Sequence, residues 1–258
     1  MTCHSMLDPS ILYPLLFTTG LVAGLIDSIS GGGGLLTLPV LLGIGLPPHL
    51  ALGTNKLQSS FGSFTATYYY RRYNVVKIRE AFKGIIFTAI GTVVGTWSVQ
   101  QINSNFLSYL IPWMLLSIAV YTFFSPKLGD KDQHPRLSQN IFYVLFGLAF
   151  GFYDGFFGPG VGSFWAIAFV LMLGFSLTKA TGYTKAMNFT SNIVSVVVFM
   201  IGGNTSYTIG AVMAMGQIIG SAIGARLVIR KGAKLIRPVF ITIVLLTTLK
   251  LLFQTYFK

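Results

Sequence analysis

Two aspartates and two lysines stand among apolar or small residues, and each is followed or flanked by groups that could serve a ligand. Asp27 lies in "GLIDSISGGGG" and Asp154 in "GFYDGFFGPGVG"; Lys56 lies in "GTNKLQSS" and Lys185 in "YTKAMNFTSN". A carboxylate placed in hydrocarbon costs several kcal/mol on insertion, so it points to a functional site or a proton relay. It can also cap a broken helix by accepting backbone N–H bonds, and the sequence leaves both roles open. The lysines suit attraction of a negatively charged solute, and Asn55, Gln58, Asn188 and Asn192 beside them offer hydrogen bonds. Each lysine is only about two turns from the end of its segment, so snorkelling of the ammonium to the interface is the competing reading.

The glycines complete the pattern. Gly31, Gly32, Gly33 and Gly34 follow Asp27, and Gly158, Gly160 and Gly162 follow Asp154. Such runs remove helix propensity and let backbone approach a ligand closely. They stand before short apolar segments whose free N–H groups and dipole favour an anion.

Other chemistries are not supported. His4, His49 and His134 are scattered without metal-ligand spacing, and the single Cys3 excludes an intramolecular disulfide. "GTNK" lacks the spacing of a phosphate-binding loop, and no Asp, His and Ser residues are arranged as in a hydrolase. No catalytic residue, metal or cofactor is expected, and the chain reads as a non-enzyme.

The elements that must hold these residues are membrane segments. Of 258 residues 53% are hydrophobic and 9% charged, against about 25% charged in soluble domains. The net charge of +12 does not imply a nucleic-acid partner. Its carriers cluster in short connections, "RRYNVVKIREAFK" and "RLVIRKGAKLIR", as the excess of cations in cytoplasmic loops requires. Apolar segments are expected near 11–29, 35–46, 50–70, 81–99, 106–125, 139–157, 162–175, 178–200, 207–228 and 235–255. The first reads as a mature span, since no basic stretch precedes it. Segments 35–46 and 162–175 are too short to span easily, because a 13-residue helix covers about 20 Å of a ~30 Å core. Each is expected to form a broken or re-entrant hairpin with its predecessor, giving eight to ten membrane segments.

The chain also repeats itself. "AGLIDSISGGG" aligns with "FGFYDGFFGPG" at an offset of 127 (154 − 27), and "ALGTNKLQSSFGS" with "ATGYTKAMNFTSN" at 129 (185 − 56). The second offset also aligns "GTVVG" with "GSAIG", glycine pairs suited to close helix packing. One membrane domain over 1–258 therefore divides into repeats at 9–125 and 139–257, joined by a cytoplasmic linker at 126–138. Placing the basic loops inside demands five segments per half. The fold class expected is thus an all-α polytopic protein with an inverted-topology repeat and both termini outside, a common transporter architecture.

These paired motifs, together with the central polar loop, resemble the sulfite exporter TauE/SafE family, also called the toluene sulfonate uptake permease family. The resemblance covers nearly the whole chain. It implies a multi-pass carrier of the bacterial inner membrane moving sulfite, sulfonates or related organic anions. By position, Lys56 and Lys185 would attract the anion, Asn55, Gln58, Asn188 and Asn192 would hydrogen-bond it, and the two glycine loops would cradle it. Asp27 and Asp154 would couple transport to protons or support the loops. The implied partners are a small anion, the lipid bilayer and the proton; a homo-oligomer is compatible with the sequence. A channel-like anion pore and a non-transporting assembly subunit are the alternative readings. The second motif departs from the first at Pro159, Val161 and the "YT" before Lys185, so the two sites need not be equivalent.

Overall fold

The computed structural model describes residues 8–124 and 131–231, with the side chains of 119–124 left aside. The expected tenth segment at 235–255, together with Lys127, Lys234 and Arg237, lies outside the described residues. Within them the chain forms nine α-helices: α1 (Pro9–Ser30), α2 (Gly33–Gly43), α3 (Pro48–Arg72), α4 (Ile78–Gln100), α5 (Ser104–Phe124), α6 (Gln139–Phe156), α7 (Val161–Leu173), α8 (Leu177–Ile201) and α9 (Tyr207–Lys231). No strand occurs among the described residues.

Local chemistry sets several boundaries. Asp8 caps α1 by accepting the Ser10 N–H at 2.8 Å, with Pro9 at the first helical position, where its missing N–H costs nothing. At the other end Gly31 takes the left-handed conformation, φ 79°, which stops α1 at the glycine run. Pro47 and Pro48 open α3 in the same manner as Pro9 opens α1.

Among the described residues four helices, α1, α4, α8 and α9, are long and apolar enough to cross a bilayer. Helix α3 has the same 25-residue length as α8 and α9. Its polar residues lower its hydropathy, yet Thr54, Asn55, Lys56, Gln58, Ser60 and Ser63 are all buried against neighbouring helices. Helices α2 and α7, of 11 and 13 residues, fold back after α1 and α6 as the short apolar segments lead one to expect.

Packing follows the small residues. Helix α1 lies along α9 and α4 along α6. At the first contact Gly20 and Gly24 face Met213 and Gln217; at the second Gly91 and Gly95 face Leu148 and Phe152. Helices α3 and α8 cross the centre antiparallel, with Gly53 near Asn204 and Gly182 near Tyr70. Exchanging α1 with α6, α2 with α7, α3 with α8 and α4 with α9 carries each of these pairings onto another.

Two apolar clusters sit at opposite ends. One gathers Leu16, Leu38, Leu52, Ile111 and Phe199; the other gathers Tyr70, Phe142, Trp165, Phe169 and Tyr183. Asp27, Lys56, Asp154 and Asn188 fall where their helices pass from one cluster to the other. The basic loops share the second end. There Arg226 donates to the Tyr69 hydroxyl at 2.7 Å and Lys83 to Asn140 at 2.8 Å. At the far end Asn204 donates to Gln100 at 2.9 Å.

The linker is tied to the basic end by Asp132. Its carboxylate accepts the Ser176 N–H at 2.6 Å and faces Lys179 at 3.7 Å. The Ser176 N–H holds this carboxyl below the ordinary aspartate range. A depressed folded value means that the tether stabilises above the pH where an unfolded aspartate ionises, and that this stabilisation is lost as pH falls through the depressed value. Thermal unfolding should accordingly show Asp132→Asn less stable than wild type at neutral pH, with the two curves converging in acid.

Candidate functional site

Where α1 and α6 break, their glycine loops meet the middles of α3 and α8. Lys56 lies about 12 Å along α3 from its first residue, and Lys185 the same distance along α8, at 1.5 Å per residue. Neither ammonium reaches an interface: the Lys56 side chain is 2% exposed and that of Lys185 is wholly buried. The structure therefore places both lysines away from the snorkelling position.

Each lysine is held by the aspartate of the other half. Lys56 Nζ contacts Asp154 Oδ1 at 2.5 Å, and Lys185 Nζ contacts Asp27 Oδ2 at 3.2 Å. Buried charges persist when paired and further hydrogen-bonded. Asp154 accordingly also accepts a hydrogen bond from the Ser191 hydroxyl, and Asp27 accepts the Gly33 N–H at 3.3 Å. The pairs are unequal. The Asp154 side chain is 4% exposed, whereas that of Asp27 is 17% exposed and its bonds are longer.

Gly158 shows why the loop needs glycine. Its φ is 98°, and a Cβ there would stand 2.7 Å from Lys56 Nζ and 2.8 Å from Asp154 Oδ1. Any side chain would enter the ion pair. Between the two breaks lies a small polar cavity of about 20 Å³, room for a water molecule but not for a sulfur oxyanion.

Of the residues singled out from sequence, Asp27, Gly31, Gly34, Asn55, Lys56, Asp154, Gly158, Gly160, Asn188 and Asn192 line this cavity, joined by Ser59, Pro159 and Val161. Lys185, Gln58, Gly32, Gly33 and Gly162 do not. Lys185 reaches it through Asp27, and Gln58 through its hydrogen bond to Asn55 at 2.9 Å. The Asn188 Oδ1 is buried without a hydrogen-bond partner.

Three contributors are missing from the sequence reading. Ser191 holds Asp154; it lies three residues after Asn188 and so shares its helix face, which was the available signal. Thr37, the sole polar side chain in α2, donates to Asn55 Oδ1 at 2.5 Å. Gln217 is buried at 1% on α9, with its side-chain oxygen against Gly24 and Gly62. A single polar residue in an apolar helix marks Thr37, whereas Gln217 shares α9 with the buried Ser221. No group of three or more His, Cys, Asp or Glu residues able to hold a metal occurs among the described residues.

Comparison with known proteins shows the family. The family model described as "Sulfite exporter TauE/SafE" matches residues 16–251. A "Probable membrane transporter protein" of Haemophilus influenzae is 43% identical over 243 residues, covering 94% of this chain and 95% of that protein. The "Probable membrane transporter protein YfcA" of Escherichia coli (strain K12) is 42% identical over 251 residues, covering 97% and 93%. A more distant relative, the "Probable membrane transporter protein YjnA" of Bacillus subtilis, is 25% identical over 250 residues. The chain belongs to the sulfite exporter TauE/SafE family, whose members are membrane transporters and not enzymes.

Proposed function

We propose that this protein is a secondary carrier for a small sulfur-containing anion, sulfite, a sulfonate or a related organic anion, and that it couples the anion to protons. The observation that carries this reading is the cross-pairing of Lys56 with Asp154 and Lys185 with Asp27 around a cavity too small for the anion. Both lysines are already occupied by carboxylates. An arriving oxyanion takes a lysine only when the aspartate leaves it, and the departing aspartate must be protonated or else remain as an uncompensated buried charge. Anion binding and proton uptake are thereby exclusive with the ion pair and linked to each other.

In this reading Asn55, Asn188 and Asn192 turn amide N–H groups to the anion. Gly31–Gly34 and Gly158–Gly162 bring backbone N–H groups to it, with Gln58 orienting Asn55. The two halves act as an inverted repeat whose relative movement opens the site to alternate faces. Support comes from the antiparallel α3/α8 crossing and from helix pairings that survive exchange of the halves. The basic end faces the cytoplasm of a bacterial cell and both termini face outside, in keeping with the charge rule.

Proteoliposomes containing the purified chain test the proposal. Uptake or exchange of sulfite, ethanesulfonate or benzenesulfonate that saturates and responds to an imposed pH gradient is expected. Flux without saturation identifies a pore, and no flux of any of the three under any gradient refutes transport of this substrate class.

A further inference from the structure

A second cavity, of about 400 Å³, opens at the basic end between the halves. Asn74, Lys77 and Glu80 approach it from the α3–α4 connection and the start of α4; Thr178, Lys179 and Tyr183 approach it from α8. The volume lies in the range of small-molecule sites. It admits an organic sulfonate or carboxylate that the 20 Å³ central cavity excludes.

The lining is mostly donors. Lys77, Lys179, Thr178 and Asn74 present N–H or O–H groups, and Glu80 is the one acid in the lining. That acid is engaged: it accepts the Tyr183 hydroxyl at 2.6 Å and faces Lys77 at 3.2 Å. Lys77 pairs with Glu80, their side chains 74% and 43% exposed, and the half-buried Lys179 pairs with Asp132, 34% and 59% exposed. Exposed pairs of this kind contribute little and exchange readily with another anion. Lys179 also stands 4.1 Å over the Phe175 ring, so an apolar surface adjoins the cation.

The position of the cavity relative to the central site gives it a purpose. Lys179 and Lys185 share α8, about 9 Å apart along the axis at 1.5 Å per residue. Between them Tyr183 is 1% exposed, and its ring packs against Phe169 and Phe175. The Tyr183–Glu80 hydrogen bond thus joins the two halves across the floor of the cavity.

We propose that this cavity is a waiting subsite for the transported anion on the basic face, where Lys77 and Lys179 hold an oxyanion head group before it passes Tyr183 to Lys185. This rests on the carrier reading above. The subsite serves one face of the membrane only, because the far end carries no lysine or arginine in its loops 101–103 and 202–206.

The test uses the full chain in proteoliposomes sorted by orientation, with ethanesulfonate and sulfite as probes supplied from either face. Lys77→Gln/Lys179→Gln should raise KM from the basic face about tenfold, the lower end of charge-steering effects. It should also weaken the salt dependence of that KM, while KM from the opposite face and the turnover number stay within about twofold. Lys77→Arg/Lys179→Arg should keep the wild-type KM. Equal KM changes on both faces, or none on either, overturn the subsite while leaving the carrier reading intact. Absence of wild-type flux for both probes overturns the carrier reading, and the subsite with it. Unchanged melting of the double variant excludes misfolding as the cause of a sided effect.

Discussion

Lys185→Ala and Lys56→Ala should each lower anion flux about tenfold to a hundredfold per folded molecule. A hydrogen bond to a charged group contributes about 1.5–3 kcal/mol, and each 1.4 kcal/mol is a factor of ten in affinity. Loss of the ammonium also strands its aspartate. Breaking a buried pair by removing one partner costs about 3–5 kcal/mol, so the single variants should be less stable as well as slower. The two effects separate in the double variant Lys185→Met/Asp27→Leu, which removes both charges and fills the space. Replacing a buried pair by apolar residues of similar volume is often neutral or stabilising; melting should recover toward wild type while flux stays lost. Recovery of flux in the double variant would show that Lys185 only neutralises Asp27. The Lys56–Asp154 pair is more enclosed than its counterpart, so Lys56→Ala should be the more destabilising of the two.

Gly31→Ala should destabilise the fold by about 2–5 kcal/mol and remove transport with it. Gly31 sits at φ 79°, and a Cβ there would collide with the Gly162 backbone. The left-handed conformation costs a side chain about 1–2 kcal/mol, and overpacking against backbone adds about 1–3. Gly162→Ala pushes into the same crossing from the other side, toward Gly31, and should cost the overpacking part alone. Gly45 supplies the control. Its φ is 93°, but nothing lies within 4 Å of where its Cβ would be, so Gly45→Ala should cost only the left-handed part, about 1–2 kcal/mol, and transport normally. Together the three variants separate the demand of the backbone angle from the demand of the crossing between the two broken helices.

Much of this arrangement was legible in the sequence because it is local or periodic. Gly31 and the glycines after Asp154 announce the two helix breaks. The short apolar stretches announce α2 and α7, and the few charged residues announce a membrane protein. Helix α3 was legible as the stretch at 50–70, although its buried polar residues lower its hydropathy. The cross-pairing was not legible. Asp27 and Lys185 are 158 positions apart and Asp154 and Lys56 are 98 apart, and only the fold, which brings the broken ends of α1 and α6 within reach of these lysines, joins them. Read singly, each aspartate fits a helix cap and each lysine an interfacial anchor; read as pairs, they occupy one another. Thr37, one polar residue in an apolar helix, forms no motif, and neither does Gln217 amid the small and apolar residues of α9.

Asp27 is the carboxylate with the longer bonds and the greater exposure, so it is the one expected to release its lysine to an anion. The decisive measurement is proton movement accompanying sulfite or ethanesulfonate flux in proteoliposomes, compared between wild type and Asp27→Asn with expression and melting matched. Wild type should move protons with the anion and respond to a pH gradient; Asp27→Asn should move the anion, if slowly, without proton movement and without response to the gradient. Undiminished proton movement with each anion in Asp27→Asn would contradict exchange of aspartate for anion at Lys185.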